Sequence, residues 1–574
     1  MDALLHDLGR RRLAARAVAG VDSPERFAEL FPVLGWRPVD AALQISDVPA
    51  LVGVLGGEQL YGREPEVAVR ELIQNAQDAV MARTVVDPDF TDGRVEVRLS
   101  EVDGEWVLEV GDNGVGMDED LLVHSLLDFG RSGWSSNRVR KSFPGLAGGG
   151  FKPRGRFGIG FFSVFMLGDQ VELVTRRYDG AQADARRLGF DGLDRRPLLT
   201  AVQAPARVAP GTLVRVVLKH SPFTAEGILR RTEDDRLGQL IERLALESTV
   251  PVRSWEPRGG VPDVLPPFSL ETGTADQVFD RLYPPLTGSW RFGLEKQRVQ
   301  LREAFVQRAT ELFDDSGRRI GLAALGPDLL YWNQLGYMGI VPVNGFLGDE
   351  SIAFAGYLEG LPNRASRDQV DLVADRAVVS RWFSDQERRL RETGDFSDSV
   401  QLELAYTFQR VLGRLGADFG CGMTSEGVLR PGRMGSWAAQ RSEIFLAMGM
   451  PLSWNTRPPQ VIHYLSGTQV RLPDDWVSIF FYSNADIFLG MFPDSYNRDP
   501  AYEFSRDQPG LAWEKVWWRM SGNLHGLLLR EICRAWSCDV GDLLAPVAQR
   551  QWSDFMYLED ASLGPVFGYL LRRP

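Results

Sequence analysis

Residues 71–80, ELIQNAQDAV, place a carboxylate, an amide and a second carboxylate at i, i+4 and i+7. In a helix these spacings bring Glu71, Asn75 and Asp78 onto one face. Leu72, Ile73, Ala76, Ala79 and Val80 cover much of the remainder, the side a helix normally buries. Alone, the stretch reads as an amphipathic helix with a solvated polar stripe. Three further segments change that reading. "GDNGVGMDED" breaks a strand with Asp112, Gly114, Gly116 and Met117. "GRFGIGFFS" sets Gly155, Gly158 and Gly160 before an apolar helical run. "GTLVRV" opens a strand in which Thr212 follows a glycine.

A nucleotide needs parts of these kinds. Adenine needs a carboxylate facing its exocyclic amine, and Asp112 supplies one beside glycines that permit close approach. Phosphates need backbone N–H groups at a glycine-rich helix start, which Gly155, Phe157, Gly158, Ile159, Gly160 and Phe161 offer. Magnesium takes oxygen ligands and keeps several waters, a role open to Asn75. Hydrolysis needs a carboxylate near the attacking water, and Glu71 fits. No G-x-x-x-x-G-K-[ST] sequence is present, so the conventional P-loop is excluded as the nucleotide site.

The order "ELIQNAQDA", "GDNGVGM", "GRFGIGFFSVF", "GTLVRVVLK" resembles the GHKL ATPases: gyrase B, MutL-type repair proteins, histidine kinases and the heat-shock protein 90 chaperones. The third piece, "GRFGIGFFSVFMLGDQVELVTRR", is similar to the chaperones' version, with Phe162 where they usually have Tyr. "LDFGRSGWSS" resembles the start of their lid. Downstream, "YLEGLPNRASRDQV" resembles their middle-domain segment and puts Arg367 at the arginine that reaches the γ-phosphate. The resemblance implies adenine held by Asp112 with Gly114, Gly116, Met117 and Thr212 about it, and Asp78 supporting the base end. It implies Mg2+ bound through Asn75, water activated by Glu71, and ATP as the nucleotide. The lid between Gly130 and Gly155 departs from the chaperones in its "AGGG" run and two prolines. The charged linker after the ATPase domain is missing, and the last 180 residues do not match the chaperones' dimerisation domain.

At 574 residues the chain exceeds one ordinary core, and three or four domains are expected. The expected fold class is α/β. A helical N-terminal extension (1–45) precedes a two-layer α/β sandwich of GHKL type (46–250) with a lid near 130–156. An α/β middle domain (251–392) and a mainly helical C-terminal region (393–574) follow. "RVEVRLSEVDGEWVLEV" predicts a hairpin with an Asp-Gly turn. "EDLLVHSLLDFG" and "FGIGFFSVFMLG" predict helices, and "VPVRSWEPRGGVPDVLPP" a join between domains.

The formal net charge of -13 gives no attraction to a phosphate backbone, so nucleic acid is not an expected partner. No apolar run has the length of a membrane span and the start lacks a signal-peptide core, which predicts a cytoplasmic protein without membrane contact. Cys421, Cys533 and Cys538 make neither a disulfide framework nor a four-ligand zinc site. Two functions compete. One is an ATP-driven chaperone acting on client proteins, for which the resemblance allows a homodimer. The other is a specialised ATP-dependent switch for a dedicated effector in a bacterial stress or defence pathway. A histidine kinase fits poorly, since no histidine lies in a recognisable phospho-acceptor helix. A DNA-repair or topoisomerase role fits poorly with the charge and the third motif.

Overall fold

The computed structural model describes residues 64–127, 133–155, 160–230 except 194 and 203–207, 236–284 except 258–259, 295–325, 339–393 except 352–353 and 363–369, and 419–448, with shorter pieces elsewhere. The chain divides into Met1–Val54 and Leu55–Pro574. The expected helical extension lies almost wholly outside the described residues, and the following concerns the larger unit.

Helix α1, Glu66–Val86, starts just after Pro65, whose missing N–H costs nothing at a helix start. Beside it lies an eight-stranded sheet. Its strands are β1 (Val95–Val102), β2 (Glu105–Asp112), β3 (Gln170–Arg176), β4 (Arg186–Asp191), β5 (Leu198–Ala201), β6 (Gly211–Val217), β7 (Val252–Trp255) and β8 (Asp263–Leu265), in the order β5-β4-β3-β6-β2-β1-β7-β8. The β1–β2 hairpin turns on Asp103 and Gly104, both left-handed with φ of 52° and 85°. That is the turn whose twist suits a two-residue hairpin.

Val95, Val97 and Leu99 of β1, Leu108 and Val110 of β2, Val171 and Leu173 of β3, and Val214 and Val216 of β6 bury one face of the sheet. Val69, Leu72, Ile73, Ala76 and Val80 of α1 join them in one core. Each such side chain contributes about 1.5–3 kcal/mol of transfer free energy when fully buried. On the opposite face Arg98, Glu109, Arg215 and Glu172 are cross-strand neighbours in turn. A sheet with an apolar face under helices and a charged face outward is a two-layer sandwich.

Three local readings differ from the structure. The Pro/Gly-rich join contains β7 and β8, so the sheet runs past residue 250; β7 pairs parallel to β1 with Val95 opposite Val252. The run after the glycine-rich loop is a 3-10 helix, Gly160–Met166. Phe161, Phe162, Ser163, Val164 and Met166 are buried and Phe165 is half-buried, so this segment has little of the solvent face an amphipathic α-helix keeps. Glu119–Leu121 is α-helical but continues as a π-turn through Leu126.

The expected lid is described over residues 133–155. It carries two short helices, α2 (Asn137–Ser142) and α3 (Gly145–Gly148). Val139, Phe143 and Leu146 share a small core with Ala82, Val115 and Leu121, and Val85 and Val86 of α1 pack against it.

The second domain is α/β as expected. Its sheet has the order β12-β11-β13-β10-β9, from β9 (Thr310–Phe313), β10 (Arg319–Ala324), β11 (Gly339–Val343), β12 (Phe346–Ser351) and β13 (Ala355–Leu358). Phe279 and Phe305, from helices Ala275–Leu282 and Glu295–Arg308, pack with Leu322, Ile340 and Tyr357. Trp382 and Phe383, from helix Arg376–Thr393, pack with Ala323, Val341 and Leu358. All six residues of β10 are buried, as a strand covered on both faces requires. A separate hairpin, Gly360–Pro362 with Val370–Leu372, follows.

Among the described residues of the C-terminal region, helices Pro431–Ala439 and Leu524–Trp536 do not stand alone. They share a core with a five-stranded sheet that includes Glu443–Met448, Trp476–Ile479 and Gly568–Arg572. These strands are mostly three to six residues long, too short for a period-2 pattern to outweigh the helical one around them.

Candidate nucleotide site

A solvated polar stripe on α1 would be exposed, and it is not. Glu71 is 6% exposed and Asp78 0%. Within residues 71–80 only Asn75 and Ala79, one turn apart, stay half-open. The helix is buried on both sides, and the polar side faces the two described ends of the glycine-rich loop. A β-carbon on Gly155 would stand 3.5 Å from Asp78 Oδ2 and 3.6 Å from Asn75 Oδ1. One on Gly160 would come within 2.5 Å of Glu71 Oε2, so the Glu71 carboxylate would have to move aside. Glycine at 160 is therefore what lets the loop's end lie against the Glu71 carboxylate. Phe157, Gly158 and Ile159 lie outside the described residues.

Asp78 is tied to that same loop. Its carboxylate accepts from the N–H of Arg154 at 3.0 Å and of Gly155 at 2.9 Å. Burial raises its pKa to about 6, against the pull of those two N–H groups. Asp78 was expected to support the base end; its partners are at the loop's start instead. Glu71 accepts from Arg70 Nη2 at 3.3 Å, a pair buried on both sides. Phe161 sends its side chain into the core beside Phe190, so only its backbone is on offer to a ligand.

The second part of the site forms where β2 ends and β6 begins. Asp112 and Thr212 sit opposite each other across these strands. The Gly114 N–H donates to Asp112 Oδ1 at 2.8 Å. Burial drives the Asp112 pKa up to about 7, opposed by the N–H groups of Gly114 and Thr212. Gly116 has φ of 62°, and a β-carbon there would strike the Arg176 carbonyl. Gly114 packs on the Ala79 backbone, and the Val115 N–H donates to the Ala79 carbonyl at 3.1 Å. These contacts bring the Asp112 loop to the half-open part of α1. Glu71, Asn75, Asp78, Gly155 and Gly160 gather along one helix face. Asp112, Gly114, Gly116, Met117 and Thr212 gather at its neighbouring turn. Arg367 lies outside the described residues.

Thr175 was not anticipated. It is fully buried, accepts from the Met117 N–H at 3.0 Å, donates to the Gly211 carbonyl at 2.9 Å and meets Thr212 Oγ1 at 3.0 Å. One hydroxyl thus joins the Asp112 loop to the start of β6. Its signal in the sequence was a threonine on the inward register of β3, after Val171 and Leu173.

Residues 63–195 match the family described as histidine kinase-, DNA gyrase B- and HSP90-like ATPases. The chain carries an HSP90-like ATPase domain. Among curated proteins it is 32% identical over 209 residues to the chaperone protein HtpG of Nitrobacter hamburgensis, covering 35% of this chain and 31% of that protein. It is 31% identical over 226 residues to HtpG of Rhodospirillum rubrum, covering 38% and 34%. Against the mitochondrial heat shock protein 75 kDa of Bos taurus the identity is 33% over 158 residues, covering 27% and 22%. The chain thus spans about a third of the length of the HtpG relatives it matches. The matched residues include every described residue of the site except Thr212, at the start of β6.

No helix among the described residues is long and apolar enough to cross a membrane. Those residues also contain no group of three or more His, Cys, Asp or Glu able to hold a metal ion.

Proposed function

We propose that this protein binds and hydrolyses ATP as a chaperone of heat-shock protein 90 type, using the cycle to change shape around client proteins. The observation that carries this reading is the polar face of α1, buried against the ends of the glycine-rich loop. Adenine docks on Asp112, which accepts from the exocyclic amine while Gly116 leaves room for the ring. Thr212 and Met117 border the base. The N–H groups of the loop from Gly155 to Phe161 take the phosphates. Glu71 orients and deprotonates the attacking water, the usual work of a general base.

Asn75 is a fitting magnesium ligand, because its side-chain oxygen lies half-open near Gly155. A divalent ion held by one such oxygen and the nucleotide's own phosphates needs no cage of protein carboxylates. When bound, the ion neutralises charge on the phosphates. Arg367, from the second domain, contacts the γ-phosphate and stabilises charge there.

The protein is expected to act in the cytoplasm, without nucleic acid, and to assemble with clients and with a second copy. The alternative keeps the same chemistry and assigns it to one dedicated effector. It is supported by the altered lid composition and by a similarity of only 35% of this chain. A pull-down with Glu71→Ala in the presence of ATP separates the two. Many unrelated proteins retained by the stalled state support the chaperone, and a single retained protein supports the switch.

A further inference from the structure

The glycine-rich loop has one more neighbour, and it comes from the second domain. Strands β11 and β12 are joined by Asn344 and Gly345, both left-handed with φ of 53° and 82°. This tip touches the ATPase domain directly. Asn344 Nδ2 donates to the Arg154 carbonyl at 3.2 Å. The Glu247 N–H donates to the Gly345 carbonyl at 2.8 Å. A β-carbon on Gly345 would come within 2.6 Å of Glu247 Oε2 and 3.3 Å of Arg154 Nη1, so glycine is what allows the tip to seat so closely.

Arg154 receives this tip while being held from two other directions. Its N–H is fixed on Asp78. Its guanidinium donates to Gln77 Oε1 at 3.0 Å and lies 5.7 Å from the Phe346 ring centroid, on the strand that leaves the tip. Gln77 is itself fully buried and donates to Ser248 Oγ at 3.1 Å. The peptide that begins the glycine-rich loop is therefore clamped between α1 and the hairpin. The Arg154 N–H is on the helix side and the Arg154 carbonyl on the hairpin side.

We propose that the Asn344–Gly345 tip positions the start of the glycine-rich loop through Arg154, so that the second domain sets the geometry of the phosphate end of the site. The role rests on the ATP reading above. It differs from that of Arg367 because it acts on the protein's own loop, so it affects every nucleotide that carries a phosphate chain. Adenosine, which ends before the phosphates, is the natural control.

The test is Asn344→Gly in the full chain. Glycine keeps the left-handed turn and removes the carboxamide side chain, and with it the donor to the Arg154 carbonyl. ATP and ADP are expected to bind about three- to tenfold more weakly, the range of one lost hydrogen bond, and kcat to fall with them. Adenosine affinity and Tm stay at wild-type values. Equal weakening of adenosine and ATP with a lowered Tm would mark the tip as merely structural and overturn the proposal. So would unchanged ATP and ADP affinity with unchanged kcat. If the wild-type protein binds no ATP, the functional reading itself fails and takes this proposal with it; if it binds and the variant matches it, only the positioning role fails.

Discussion

Asp112 and Asp78 are both carboxylates that burial holds well above the ordinary carboxylate range, yet their partners differ. Asp78 has its oxygens on the N–H groups of Arg154 and Gly155, whereas Asp112 is met by those of Gly114 and Thr212. Asp112→Asn exchanges an acceptor for an amide that can turn its own donors toward the adenine amine. ATP affinity should fall roughly 10- to 100-fold, the cost of a mismatched buried polar pair, with circular dichroism unchanged. Calorimetric titration checks this, and wild-type affinity would refute the adenine assignment. The pH dependence has a definite sign. With a folded pKa near 7 against 3.8, the folded state binds more protons than the unfolded state between those values. Stability contributed by Asp112 therefore falls as pH rises from about 4 through 7. Denaturant titrations at pH 5, 6 and 7 should show wild type losing stability relative to Asp112→Asn, and parallel curves would contradict the raised pKa.

At the scale of elements, the segment proposed as a lid is held by more than its apolar core. Arg177, just past β3, donates to the Ser142 carbonyl at 3.2 Å and to Asp118 at 3.1 Å, and its guanidinium lies 4.7 Å from the Phe143 ring centroid. Arg177→Ala should speed protease cutting within residues 133–155 several-fold in the absence of nucleotide. A non-hydrolysable ATP analogue should slow cutting of the wild-type lid, and ADP much less. Equal protection by both would remove the γ-phosphate from lid control. The elements divide by how much of their cause is local. Helix α1, the Asp103–Gly104 hairpin and the Asp112 loop were legible because a periodic face, a two-residue turn and a glycine-spaced break are each written within a dozen residues. β7 and β8 were not, since their ordering partner is β1, far upstream, and Pro and Gly around them read as a linker. Thr175 escaped for a related reason, since a threonine in a strand looks ordinary until Gly211 and Thr212 are brought to it by the fold. The basic character of the loop, Arg154 included, was legible, but not that Asn344 would reach the Arg154 carbonyl. The polar face of α1 was legible in the spacing of Glu71, Asn75 and Asp78, but its burial depended on Gly155 and Gly160 arriving from elsewhere.

For the whole molecule, the contacts of Arg70 with Leu347 and of Asn344 with Arg154 show the second domain seated on the ATPase domain beside α1. Pro362 and Val370, which flank Arg367 in the sequence, pair with each other. Arg367→Ala should lower ATP hydrolysis by at least about tenfold, at the low end for an arginine that stabilises transferring phosphate. ADP affinity should barely change, because ADP lacks the contacted group; an equal loss for ADP would place Arg367 elsewhere. The central claim is that the buried face of α1 is catalytic, and ATP turnover by the full-length Glu71→Ala protein tests it most directly. ATP should still bind with near wild-type affinity, while hydrolysis slows by about 100-fold or more, the usual size of a lost general base. Hydrolysis at the wild-type rate would show that Glu71 activates no water and that the helix face does no chemistry.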